Sequence, residues 1–197
     1  MINRYLKYYA IIFLFFLVQG CDIFETRTPE DPSQQSSTFI QPTTPDIVIT
    51  NFKNSIEEYS VDNYVRCLVD AAFSDKNFEF VPSQEAGIDG VIFQGWNRDS
   101  ERQYLLNIGK PQFGSAGLIL TNKRITNVTS DSVVYNFDYV LYYPHNRENY
   151  PKSFSGNLQF YLAVDQNRNW SIFRWMDFKT TSPNTWSYLK AIFSSGL

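Results

Sequence analysis

Two hydrophobic periods divide the chain. From Leu118 onward apolar residues return at every second position. Val133, Tyr135, Phe137, Tyr139, Leu141 and Tyr143 share one face, with Asn136 and Asp138 on the other. Phe154, Leu158, Phe160, Leu162 and Val164 repeat the pattern against Ser155, Asn157, Gln159, Tyr161 and Asp165. A period of two is that of a half-buried strand. The runs therefore predict an antiparallel meander with one strongly apolar face, joined through Asp131-Ser132, Pro144 to Pro151, and Gln166 to Asn169.

Before Leu118 the period is helical. Thr44-Pro45-Asp46 supplies a hydroxyl cap, a proline at the first helical position and an acid at the positive end of the dipole. Ile49, Phe52, Ile56 and Tyr59 follow at helical spacing. Ser60 caps a second predicted helix with a stripe of Tyr64, Cys67, Leu68 and Ala71. Cys67 on that apolar face reads as a buried, inert thiol. Asn77 to Val81 alternates and stops at Pro82, which predicts a short strand. Asn97 caps a third helix through Tyr104, Leu105 and Ile108 to Gly109, with Asp99 and Glu101 in its first turn. Ser182-Pro183 opens a last helix carrying Trp186, Leu189 and Phe193, where Trp186 packs in the core.

The run NWSIFRWMDF admits two registers. Strict alternation puts Trp170, Ile172, Met176 and Phe178 on one face with Arg174, and Phe173, Trp175 and Asp177 on the other. A bulge near Phe173 and Arg174 brings Trp170, Ile172, Trp175 and Asp177 to the same side. The second register sets an aspartate beside two tryptophans.

The N-terminus changes the picture of where the domain works. Arg4 and Lys7 precede an apolar run from Ala10 to Val18, far shorter than the roughly 20 residues of a membrane span, so residues 1–20 read as a secretory signal. Leu17-Val18-Gln19-Gly20-Cys21 resembles a bacterial lipobox, with Gln19 where a small residue is commoner and Val18 where leucine is. The resemblance implies that Cys21 is acylated, with palmitate among the chains, and anchors the protein to a membrane of the bacterial cell envelope, inner or outer. More than one acyl chain, at ~0.8 kcal/mol per buried methylene, makes such attachment stable. Residues 21–44, rich in Pro, Ser, Thr and Gln, read as the lipidated cysteine and a flexible linker, interrupted by Phe39 and Ile40. Residues 45–197 have the size of a single domain.

Composition then excludes several chemistries. Two of the 17 basic residues, Arg4 and Lys7, lie in the signal, leaving 15 against 20 acidic ones. An acidic domain without a basic tract is a poor nucleic-acid partner. Cys67 is the one cysteine beyond Cys21, so no intramolecular disulfide forms, and with one histidine no Cys/His zinc site is expected. Nothing in the chain calls for a cofactor.

Helices interrupted by a short strand and followed by a curved meander resemble the nuclear-transport-factor-2-like fold, also called cystatin-like or ketosteroid-isomerase-like. The residues that carry the likeness are Tyr64 to Asp70 in the second helix, Phe78-Glu79-Phe80, and Trp170-Ser171-Ile172. The resemblance extends to bacterial lipoproteins of this fold that bring no assigned activity. It implies an α+β domain: N-terminal helices packed on a curved antiparallel sheet shaped as a cone, plus a C-terminal helix, with a cavity between the two layers. Some members isomerise or dehydrate small apolar molecules there, others only bind, and many pair through the outer sheet face.

An isomerase of this kind needs a carboxylate base in an apolar cavity and a nearby proton donor. Glu79 and Asp138 alternate away from the aromatic face, which leaves Asp70 and Asp177 as the candidate bases of an enzymatic alternative. His145, in the turn Tyr143 to Arg147, reads as a solvated rim residue. The favoured reading is a noncatalytic, membrane-tethered binding module. It takes a small apolar ligand, lined by Tyr64, Tyr135, Tyr139, Trp170 and Trp175, or an envelope protein partner. A homodimer through an outer face bearing Tyr161, Phe173 and Trp175 is a third expectation.

Overall fold

The computed structural model describes residues 38–84 and 90–194. The signal segment, Cys21 and most of the linker lie outside the described residues. Helix α1 spans Pro45–Glu57, capped by the Thr44 hydroxyl, which accepts from the Ile47 amide at 3.4 Å. Its buried residues, including Val48, Ile49, Phe52 and Ile56, form the helical stripe that the spacing predicts. Helix α2, Val61–Arg66, begins at the Ser60 cap but stops earlier than the stripe through Ala71 suggests. The residues after it leave the helix to join the sheet: the Val69 amide donates to the Ile172 carbonyl and the Ile172 amide to the Cys67 carbonyl, each at 2.9 Å. Two sheet bonds replace one more helical turn, and Ala71 is left exposed.

Strand β1, Glu79–Val81, is followed by a 3₁₀ turn, Gly90–Phe93, and by helix α3, Arg98–Ile108. Asn97 and Ser100 form a reciprocal capping box at the start of α3. Strands β2 (Gly117–Thr126), β3 (Ser132–Tyr142), β4 (Ser153–Val164) and β5 (Trp170–Phe178) make the meander, and helix α4, Trp186–Phe193, closes the chain. Thr185, rather than Ser182, caps α4 by accepting from the Tyr188 amide. The sheet order is β1-β5-β4-β3-β2, with β1 parallel to β5 and every other pair antiparallel. The fold is α+β, with helices against one face of a curved five-stranded sheet.

Two bulges bend the sheet. In β2 the pairing skips between Thr121 and Arg124, where Asn122 takes a positive φ of 51°. In β5 Tyr161 faces Arg174 while Leu162 faces Ile172, so Phe173 is the extra residue. The bulge decides the register of β5: Ile172, Trp175 and Asp177 are all buried on the inner face. Trp175 is fully buried, which corrects its expected place on an outer dimer surface. Tyr161 and Phe173 do remain half-exposed there, in edge contact at 6.0 Å.

The domain also begins earlier than residue 45. Asn51 bonds both the amide and the carbonyl of Ile40, at 3.0 and 2.6 Å, and the Trp170 amide donates to the Pro42 carbonyl at 2.7 Å. The last residues assigned to the linker are thus a strap fixed across α1 and the start of β5.

Gly156, on the inner face of β4, sits opposite Tyr139. A Cβ there would come within 2.5 Å of the Phe178 carbonyl oxygen and 3.0 Å of the Tyr139 hydroxyl. Backbone cannot yield cheaply, so Gly156→Ala is expected to destabilise the protein by about 1–3 kcal/mol through overpacking. Urea unfolding measures this, and an unchanged midpoint would show that the strand relaxes freely.

Candidate functional site

The inner face of the sheet and the helices over it meet around Trp175. Its ring lies edge-on to Trp186 at 4.6 Å, to Phe160 at 5.2 Å, to Phe80 at 5.4 Å and to Phe52 at 5.6 Å. These rings come from α1, β1, β4, β5 and α4, and they occupy the space between the two layers. Edge-to-face packing of this kind adds about 0.5–1.5 kcal/mol per pair beyond the area buried.

Two carboxylates lie within this aromatic filling. Glu101, on the buried side of α3, accepts from the Tyr64 hydroxyl and from the Trp96 indole N–H, both at 2.7 Å, and forms a fully buried ion pair with Lys190 of α4. The Lys190 ammonium also sits over the Trp175 ring at 3.6 Å and the Phe80 ring at 3.7 Å. Such cation–π contacts replace part of its lost hydration. Burial pulls the Lys190 ammonium down to about 8, and the Glu101 carboxylate offsets that pull only in part.

Asp177 is the second carboxylate. One oxygen accepts from the Tyr139 hydroxyl at 2.9 Å; the other accepts from the Ser187 amide at 2.7 Å and the Ser187 hydroxyl at 2.6 Å. The Tyr139 oxygen in turn accepts from the Trp186 amide at 2.7 Å. Asp177 and Tyr139 thereby satisfy the first free amides of α4 and set a carboxyl group at its positive end. Burial raises the Asp177 carboxyl above its usual value, against the pull of Ser187, Tyr139 and Lys190. Its hydrogen bonds are committed to holding a helix.

The expected ligand-lining residues separate. Tyr64, Tyr139 and Trp175 come together in the filled interior, each bonded or packed as above. Tyr135 is buried further along β3, with the Lys123 ammonium 4.0 Å over its ring. Trp170 stands apart, in an open surface concavity that it shares with Asp70. Asp70 is therefore outside the cone, paired with Arg98 at 3.0 Å and half-exposed.

His145 is not solvated. It is buried against Phe193 at 4.9 Å, with Nε2 2.9 Å from the Pro151 carbonyl and Nδ1 accepting from the Arg147 amide. Burial, with Lys152 and Arg147 nearby, pulls its imidazole below the usual value, against the Pro151 hydrogen bond. Cys67 is buried, donates to the Asn63 carbonyl, and has its thiol pushed far up by burial. No group of three or more His, Cys, Asp or Glu side chains among the described residues could hold a metal ion.

Glu101 and Lys190 carry the centre of the domain, and the residue pattern does mark them. Glu101 falls three and four positions before Tyr104 and Leu105. Lys190 falls four after Trp186 and three before Phe193. Both occupy core positions of their helix stripes, where a charge needs a partner; neither sequence pattern says that the partners are each other.

A lysine whose native value lies near 8 rather than its usual 10.5 is protonated in both folded and unfolded chains below pH 8, and there its buried charge weighs against the native state. Between about pH 8 and 10 the native lysine loses its proton first, so the unfolded chain holds more protons and unfolding free energy rises. The buried Cys67 thiol acts in the opposite sense from about pH 9 upward, and buried Tyr64 and Tyr104 above about pH 10. The expected result is that the stability difference between the native protein and Lys190→Met shifts in favour of the native protein from about pH 8 to 10, because Cys67 contributes equally to both. At pH 7 that variant strands the Glu101 carboxylate and costs about 3–5 kcal/mol, most of it recovered in Lys190→Met/Glu101→Gln. Equal loss in the single and double variants would show that the lysine acts through its bulk alone.

No protein-family model matches the sequence, and no curated protein matches it. Solved structures do match by shape. A proposed scytalone dehydratase from Novosphingobium aromaticivorans superposes with a TM-score of 0.52 at 14% identity, over 71% of this chain and 83% of its own. A proposed aromatic ring hydroxylase from the same organism gives 0.51 at 12% identity, over 70% and 87%. A proposed dehydratase of the NTF2-like family from Streptomyces avermitilis gives 0.51 at 10% identity, over 70% and 94%. At these identities the likeness is one of fold, and the fold of this domain is nuclear-transport-factor-2-like.

Proposed function

We propose that this chain is a bacterial envelope lipoprotein, acylated at Cys21, whose domain is a noncatalytic binding module. The observation that carries the noncatalytic half is the filling of the cone. Trp175 and Trp186 occupy its centre, Glu101 is neutralised by Lys190, and both oxygens of Asp177 are engaged in holding α4. A base must be within reach of a substrate proton. A small apolar ligand would have to displace α4 and break two buried polar networks, so recognition falls to the outside of the domain, by an envelope protein or a ligand at its surface. The anchoring half is supported by the apolar run and the lipobox-like residues that end at Cys21. No helix among the described residues is long and apolar enough to cross a membrane.

A second reading, an isomerase or dehydratase with Asp177 as base, draws on the raised Asp177 carboxyl beside the Tyr139 hydroxyl and on the dehydratase proposals made for similar structures. Asp70, paired with Arg98 outside the cone, is the weaker candidate for that role.

Expressed in a bacterial host, Cys21→Ser is expected to lose labelling by radioactive palmitate and to move from the membrane pellet to the soluble fraction; a variant still labelled and still sedimenting overturns the anchor. The soluble Cys21→Ser chain is also expected to take up no anilinonaphthalene sulfonate at native pH. Uptake of one probe per chain, abolished by filling substitutions around Asp177, would restore the enzymatic reading.

A further inference from the structure

We propose that the surface concavity beside the β4–β5 turn is a binding site for a neutral oligosaccharide. This names the ligand class of the binding module and rests on that reading. The concavity has a volume of about 520 Å³, within the range of roughly 300–1,000 Å³ typical of small-molecule sites. It is separate from the filled cone and open to solvent on one side, so it can take a few units of a longer chain.

Its walls are fixed by bonds among the lining residues themselves. The strap is held by the Trp170 amide on the Pro42 carbonyl and by Gln41 Nε2 on Asn169 Oδ1 at 3.1 Å. The turn is held by Asp165 Oδ1, which accepts from the Asn167 and Asn169 amides, each at 2.8 Å. The Gln166 amide ties the turn to the Phe73 carbonyl at 3.0 Å. These contacts give the concavity a preformed shape and lower the ordering cost of binding.

Charge and shape together select the ligand. Arg66 and Arg98 are balanced by Asp70 and Asp165, and Arg98 is already paired with Asp70. No net charge remains to favour an anion or a cation. Three aromatic rings, Phe39, Phe73 and Trp170, stand among the amides of Gln41, Asn167 and Asn169. Phe73 is 47% exposed, and Arg66 stacks 3.7 Å over Phe39. Trp170 is partly buried against the core and lines the concavity, whereas Trp96, Trp175 and Trp186 are 8%, 0% and 1% exposed. A ligand that suits these surfaces has C–H faces to lay on electron-rich rings and hydroxyls to bridge carboxylates and amides, which offer acceptors and donors side by side. A neutral sugar chain has both.

The exposure of Trp170 supplies the test. Full-length protein in a non-glycosidic detergent is titrated with maltohexaose, cellohexaose and chitohexaose while acrylamide quenching of tryptophan fluorescence is followed, with calorimetry alongside. At least one hexaose is expected to halve the quenching of the accessible tryptophan at millimolar concentration or below. Trp170→Phe removes that protectable fluorescence. Asp70→Asn and Trp170→Ala, each checked for native circular dichroism, are expected to weaken calorimetric binding at least tenfold. Absence of protection and of heat with all three sugars overturns the proposal, and so does binding that Trp170→Ala leaves unchanged. Protection by a tetraglutamate peptide and by none of the sugars overturns it in favour of an anion site at the arginines. Each of these failures leaves the probe-exclusion result for the cone, and with it the noncatalytic reading, standing on its own.

Discussion

The burial of Lys190 against Glu101 is the constraint on which the rest of the domain depends. Two ions removed from water cost several kilocalories per mole each unless they find one another and further donors. Here Tyr64 and Trp96 supply the donors, Phe80 and Trp175 supply ring faces, and the partners themselves come from α3 and α4. Five elements must therefore be in their native positions before the pair is compensated. An arrangement that slid α4 by one residue would bring Lys190 away from Glu101 and expose a charge to the aromatic core. The pair adds little net stability by itself, but it makes the wrong packings expensive.

Asp177 gives the second restraint on the same helix. A carboxylate and a tyrosine hydroxyl meet the first amides of α4, so the helix is held at its N-terminus by polar bonds and further along by an ion pair. The bulge at Phe173 makes this possible, because strict alternation would have turned Asp177 and Trp175 outward. Gly156 contributes from the facing strand by leaving room for the Tyr139 hydroxyl. One inserted residue and one missing side chain thus set Asp177 and Tyr139 against the first amides of α4. A shared fold carries no activity with it, since activity resides in the groups a particular chain leaves accessible.

Aromatic rings fill the interior, and the concavity beside the β4–β5 turn lies outside it. The strap from Thr38 to Pro42 connects the sequence that leads from Cys21 to the wall of the concavity, with Phe39, Gln41 and Pro42 all lining it. The proposed acylation site at Cys21 and this wall therefore lie on one stretch of sequence.

Much of this architecture was legible in the sequence because it depends on local rules. The periods of two and three to four, the caps at Thr44, Ser60 and Asn97, and the aromatic inner faces of β3 and β4 follow from side-chain direction and from unsatisfied amides, which a linear pattern records. The early end of α2, the parallel β1 and the docking of Phe39 depend on distant backbone groups offering better bonds, so no local window contains them. His145 reads as a loop residue because its neighbours are polar, and it is buried because Phe193, nearly fifty positions on, packs over it. The sequence by itself determined that a curved sheet would meet amphipathic helices over an aromatic layer. Only the tertiary structure decided that a lysine and a glutamate 89 positions apart would meet inside that layer, because an ion's partner is chosen by three-dimensional proximity and by the cost of leaving a charge alone, neither of which is written in the spacing of residues.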